Sequence, residues 1–210
     1  MKKITLLLLT VAVCFFSACS KAQKQSEEKT DMLKDKKILI VYLSRTKNTR
    51  AIAEIIHRKL DSDTLVALEL EQPYPENYQA TVAQVARENE TGYLPPLKTK
   101  IHSISSYDVI FIGFPTWGMQ LPPPMKSFLH QYNLAEKTVI PFNTNGGYGI
   151  GSSFDTVKEL CPDSKILEGF TMRGGSERDG KLLVITGDNA VTAEAAVQKW
   201  LQQIGLLKNN

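Results

Sequence analysis

The chain has 210 residues, 42% of them hydrophobic, which is enough to bury a core without disulfide staples. Its net charge is +3, and the whole excess lies before Lys37; from there on basic and acidic side chains are equal in number, which removes any electrostatic case for a nucleic-acid partner. Of its three cysteines only Cys161 lies in the body, and His57, His102 and His130 are scattered, so neither a disulfide framework nor a metal site is expected there.

Residues 1–19 (MKKITLLLLTVAVCFFSAC) open on two lysines, run apolar from 4 to 16, and close on small residues. That layout is a secretory signal peptide, and its apolar run falls short of the about 20 residues a spanning helix needs. Phe16-Ser17-Ala18-Cys19 resembles the lipobox of bacterial lipoproteins, with Phe16 where leucine is usual. The resemblance implies cleavage before Cys19, lipidation of its thiol, and anchoring to a membrane of the cell envelope on its periplasmic or outer-surface side. A plain secretion signal cut near Ala18 and an uncleaved anchor are the other readings. Residues 20–36 are polar and charged, so they read as a flexible tether with a span of about 20–25 Å. Residues 37–210 are left as the folded domain.

Residues 38–43 (ILIVYL) read as a buried strand, and Ile52, Ile55, Ile56 and Leu60 recur at helical spacing after it. Between them lies the polar loop Ser44-Arg45-Thr46-Lys47-Asn48-Thr49. A strand that feeds a polar loop and then a helix N-terminus offers free N–H groups and the positive end of a dipole, which suit a phosphate; an ordinary helix cap has the same composition. Residues 64–70 predict a second strand, and 76–91 a helix with Val82, Val85 and Ala86 inward. Residues 107–114 (YDVIFIGF) are apolar enough for a strand covered on both faces. They run into Pro115-Thr116-Trp117-Gly118 and the prolines 122–124, before a helix over 125–132.

A fourth strand over 137–144 leads into Thr144-Asn145-Gly146-Gly147-Tyr148-Gly149, whose glycines allow close backbone approach to a ligand. A helix over 154–161, a fifth strand over 165–171 and a glycine-rich polar excursion over 173–180 follow. Residues 182–185 read as an edge strand or an insertion, and Asp188 or Thr192 as the cap of a last helix that buries Val197, Trp200, Leu201 and Ile204. Alternation of strands and helices predicts a parallel sheet with helices on both faces, and places the loops after strands one, three and four at the ligand-binding edge.

Those three loops resemble the flavodoxin family. Ser44 to Thr49 resembles its phosphate loop, T/S-x-T-G-x-T; Gly113-Phe114-Pro115-Thr116-Trp117-Gly118 resembles the loop that carries an aromatic onto the flavin; Thr144 to Gly149 resembles the third flavin-contacting loop. The match runs in order over about residues 37–207, and the run 73–78 (PYPENY) looks like a branch common in anaerobic bacteria. It implies a three-layer, doubly wound α/β domain with five parallel strands in the order 2-1-3-4-5, and FMN as cofactor. Two departures stand out: Lys47 replaces the usual glycine, and the body is neutral where flavodoxins are acidic.

On this resemblance the hydroxyls of Ser44, Thr46 and Thr49, Asn48 and backbone N–H groups would bind the phosphate. Arg45 and Lys47 either touch it or are solvated. Trp117 would cover one face of the isoalloxazine, its alternative being a core residue, which suits Trp200 better. Tyr148 is a second candidate for stacking, or merely exposed. Backbone groups of 116–118 and 145–149 would meet the ring edge. No acid–base or nucleophilic set is evident, and Cys161 reads as buried and inert. The function implied is an electron-carrying flavoprotein that serves a redox protein or a small acceptor. An NAD(P)H:quinone-type oxidoreductase and a flavin-free binding module on the same fold, for which Lys47 argues, are the alternatives.

Overall fold

In a computed structural model of the protein, residues 30–209 are described; the expected signal peptide, the expected lipidation site Cys19 and most of the expected tether lie outside them. The order of elements is β1 (Ile38–Tyr42), α1 (Asn48–Leu60), β2 (Thr64–Ala67), α2 (Tyr78–Thr91), β3 (Val109–Pro115), α3 (Pro123–Gln131), β4 (Thr138–Asn145), α4 (Ser153–Leu160), β5 (Lys165–Ile166), β6 (Phe170–Arg173) and α5 (Asp188–Gln203). All strand pairs are parallel, in the order β2-β1-β3-β4-β5, with β6 also on β4.

Side chains of β1 and β3 alternate between two cores, as the pleat requires. Ile38, Ile40, Tyr42 and Phe111 pack with Ile52, Ile56, Val197 and Trp200 of α1 and α5. Leu39, Val41, Ile110 and Ile112 pack with Met125, Phe128 and Val157 of α3 and α4. Both faces are therefore covered, which is why these strands are apolar at every position. Trp200 sits in the first core between Phe111 and Phe170, its indole N–H donating to the carbonyl of Glu168 at 3.0 Å.

The structure differs from the sequence expectations at several points. The fifth strand is split. Val139 pairs with Ile166 and Phe142 with Phe170, so β5 and β6 hold one residue more than β4 over the same stretch, a bulge. Pro141 lies in that gap and has no N–H for the ladder. Residues 182–185 form no strand; Leu182 and Leu183 are exposed, Val184 packs half-buried against the first core and Ile185 is buried in it. Neither Asp188 nor Thr192 caps α5: its N-cap is Gly187, and the Thr192 hydroxyl donates to the carbonyl of Asp188 within the helix. Val82 and Ala86 of α2 are exposed and only Val85 is buried, because that stripe faces a cavity and not the core. Residues 30–36, read as tether, pack on the domain. Leu33 enters the first core and the Thr30 N–H donates to the Leu206 carbonyl at 3.2 Å, which together dock this otherwise polar stretch.

Candidate functional site

A cavity of about 710 Å³ opens at the carboxyl ends of β1, β3 and β4. In an open parallel sheet that edge gathers the strand-to-helix loops, and the switch between β1 and β3 leaves a crevice there. Four loops and one helix wall it: Arg45, Thr46, Asn48 and Thr49 after β1; residues 115–120 after β3; Thr144, Asn145, Gly146, Tyr148 and Gly149 after β4; residues 175–178 after β6; and one face of α2. Ser44, Lys47 and Gly147 are the expected site residues that do not line it.

The first loop ends at Lys47, the N-cap of α1, whose backbone is left-handed at φ 67°. That conformation is the reason glycine is usual there, and lysine holds it at a steric cost of about 1–2 kcal/mol. Asn48 and Thr49 begin the helix, where first-turn N–H groups have no acceptor inside the helix. The Ser44 hydroxyl accepts from the Arg50 N–H at 3.2 Å. Thr49 and Thr144, both buried, share a hydrogen bond of 2.8 Å.

Asn48, expected at a phosphate, and Arg45, read as touching it or solvated, are both held by the protein itself. The Asn48 amide donates to the Thr46 hydroxyl at 2.9 Å and to the Leu182 carbonyl at 2.6 Å, and its oxygen accepts from the N–H groups of Val184 and Ile185. Asn48 thus fastens residues 182–185 to the start of α1, which leaves its backbone N–H, not its amide, for a ligand. Arg45 donates from Nε to both oxygens of Glu177, at 2.8 and 2.9 Å, and from Nη2 to the carbonyl of Glu76 at 2.7 Å. Each side chain of that pair is about one-fifth exposed.

After β3, Trp117 and Gln120 bracket a tight turn with Gly118 and Met119 both at positive φ, as a type I′ turn requires. The loop after β4 winds around Asn145, whose side-chain oxygen accepts from the N–H groups of Gly147 and Gly149 at 2.9 and 3.2 Å. The two loops touch at Gly151, where a Cβ would lie 1.9 Å from the carbonyl of Met119. The Thr116 N–H is likewise held by Thr144, and the Trp117 N–H by Gln120. In these two loops the N–H groups of Gly118, Met119, Gly146 and Tyr148 line the cavity without an acceptor among the described residues. Trp117 is half-buried in the wall; Tyr148 is 65% exposed, with the Arg178 guanidinium 5.5 Å from its ring centre.

Sequence reasoning missed two walls. The first is the α2 face with Tyr78, Val82, Ala86 and Asn89, since an apolar stripe does not say whether it faces a core or a cavity. The second is 175–178, for which the glycine-rich excursion over 173–180 was the available signal. Cys161 is buried away from the cavity, and burial pushes its thiol up to about 11. No group of metal-ligating side chains occurs among the described residues.

The cavity suits a mononucleotide flavin. It joins a helix N-terminus with threonine hydroxyls at one end to aromatic walls and free peptide N–H groups at the other.

Comparison with known proteins agrees with the fold. The family described as Flavodoxin matches residues 37–187. A solved structure from Bacteroides eggerthii DSM 20697, described as a candidate flavoprotein, is 30% identical with a TM-score of 0.65, covering 81% of this chain and 99% of its own. A second such protein, from Bacteroides uniformis ATCC 8492, is 24% identical with a TM-score of 0.63, covering 80% and 98%. A flavoprotein from Lactobacillus acidophilus NCFM, solved in complex with FMN, is 23% identical with a TM-score of 0.58, covering 70% and 98%. At those identities the last two speak to the fold alone. None of the curated proteins matches the chain.

Proposed function

The chain belongs to the flavodoxin family, and from that premise we propose that it binds FMN and carries electrons between redox partners outside the cytoplasm. The observation that carries this reading is the meeting of the loops at 44–49, 115–118 and 144–149 on one cavity with a helix N-terminus at its end. The Lactobacillus acidophilus protein of the same fold, solved with FMN, supports the choice of ligand.

The backbone N–H groups of Asn48 and Thr49 and the Thr46 hydroxyl would hold the phosphate, aided by the dipole of α1. Trp117 would cover the ring system, and the N–H groups of Gly118, Gly146 and Tyr148 would meet its polar edge. FMN, when bound, supplies the electron transfer itself. The protein's part is to bind it, exclude water on the Trp117 side and set its potential through those N–H groups. Cys19 would carry a lipid that tethers the domain to a membrane.

The visible spectrum of the purified full-length protein tests the flavin; a colourless protein that fails to take up added FMN would sink the reading. Steady NADH or NADPH oxidation without an added reductase would replace the carrier by an oxidoreductase. Cys19→Ala is expected to move the protein from the membrane fraction to the soluble one, and unchanged membrane retention would remove the lipid anchor.

A further inference from the structure

Residues 73–78 contribute only Tyr78 to the cavity, yet the whole segment is fixed from several sides. The Tyr74 ring meets the ring of Trp117 edge-on, with centroids 5.2 Å apart and planes at 89°. Behind it, the Tyr74 hydroxyl donates to Oε2 of Glu88, and Gln84 Nε2 donates to Oε1 at 2.8 Å. Glu88 lies on the inner side of α2, only 6% exposed. Burial, and then the bond to Glu88, push the Tyr74 hydroxyl far above its ordinary pKa, so it stays a donor. The Thr81 hydroxyl donates to the Pro75 carbonyl at 2.8 Å, and Asn77 caps α2 through the Ala80 N–H at 2.9 Å. Pro73 and Pro75 fix φ on both sides of Tyr74.

The other end of the Trp117 turn is tied to the same helix. Lys126 Nζ donates to Asn89 Oδ1 at 2.9 Å and to Gln120 Oε1 at 3.3 Å, so one ammonium joins α2 to the residue that closes the turn. Burial lowers the Lys126 pKa.

We infer that Tyr74, held by Glu88 on α2, is a positioning residue that fixes the ring of Trp117 at the cavity wall, so that an aromatic ligand stacks on a preset surface. Edge-to-face pairs favour one orientation of the ring, and a ring already ordered loses less freedom when a ligand binds. The inference rests on the flavin reading for its consequence, but the ring's order is a property of the ligand-free protein.

Trp117 and Trp200 are the tryptophans of the chain, so in a Trp200→Phe background the emission reports Trp117. Tyr74→Ala is expected to make that emission more accessible to acrylamide and to raise the Kd for FMN about tenfold. Tyr74→Phe keeps the ring, loses the hydroxyl and falls between, as does Glu88→Gln. Unchanged quenching in Tyr74→Ala overturns the proposal, and so does changed quenching with an unchanged Kd. If Tyr74→Ala does not fold, unchanged quenching in both Tyr74→Phe and Glu88→Gln overturns it. A protein that binds no FMN at all defeats the flavin reading, while the quenching series still decides the strut.

Discussion

Thr49 and Thr144 share a 2.8 Å hydrogen bond that joins the first turn of α1 to the end of β4 beneath the cavity. Both residues are buried, at 2% and 3% exposure, so each hydroxyl depends on the other as a partner. Thr144→Val should strand the Thr49 hydroxyl and lower stability by about 1–2 kcal/mol. Adding Thr49→Val should recover most of that loss, because no buried polar group is then left over. Urea midpoints of the two single variants and the double complete the cycle; strictly additive losses would show that the pair does not act as one.

Lys47 holds φ 67° without the freedom of glycine. Lys47→Gly removes the clash of Cβ with the backbone but adds flexibility to the unfolded chain, for a net gain of about 0.5–1 kcal/mol. The urea midpoint should rise with an unchanged slope, and a lower midpoint would contradict the strain. FMN affinity should stay within about twofold, since Lys47 lies outside the cavity lining and its charge is screened.

Glu177 engages Arg45 with both carboxylate oxygens at the cavity wall, where a phosphate is expected. Glu177→Gln removes a negative charge that opposes the phosphate and weakens its hold on Arg45. FMN affinity should rise about threefold at low salt and less at high salt, with riboflavin, which has no phosphate, unaffected. Equal changes for both ligands, by fluorescence titration, would mean that Glu177 acts on the loop and not on charge.

Burial raises the Cys161 thiol from 9.0 to about 11. The folded chain therefore keeps a proton that the unfolded chain loses above about pH 9. This contribution to stability is complete below that pH and disappears between about pH 9 and 11. Cys161→Ala should flatten the fall of the urea midpoint over that window. At pH 8 the Cys161 peptide should be alkylated by iodoacetamide only after denaturation, as read by mass spectrometry; rapid labelling of the native protein would place the thiol at the surface.

What could be read from the sequence follows from how locally each feature is encoded. Residues 38–42 and 109–114 are apolar at every position because both faces of a parallel strand are covered, and that pattern is visible in any window. The prolines at 122–124 announced the start of α3, though the helix begins two residues before 125. The bulge opposite Pro141 was not legible, since it depends on the register of two strands. The stripe of α2 carries the correct period, yet whether it meets a core or a cavity depends on the loop opposite.

The sequence by itself determined the parallel α/β architecture, the three strand-end loops and the aromatic in the second of them, because periodicity, turn residues and motif spacing are properties of neighbouring residues. Only the tertiary structure decided which side chains those loops leave for a ligand. Arg45 is bound by Glu177, 132 residues away, and Asn48 by the backbone of residues 182–185. Hydrogen bonds are taken by whichever partner the fold brings within about 3 Å, and at such separations no local pattern announces it.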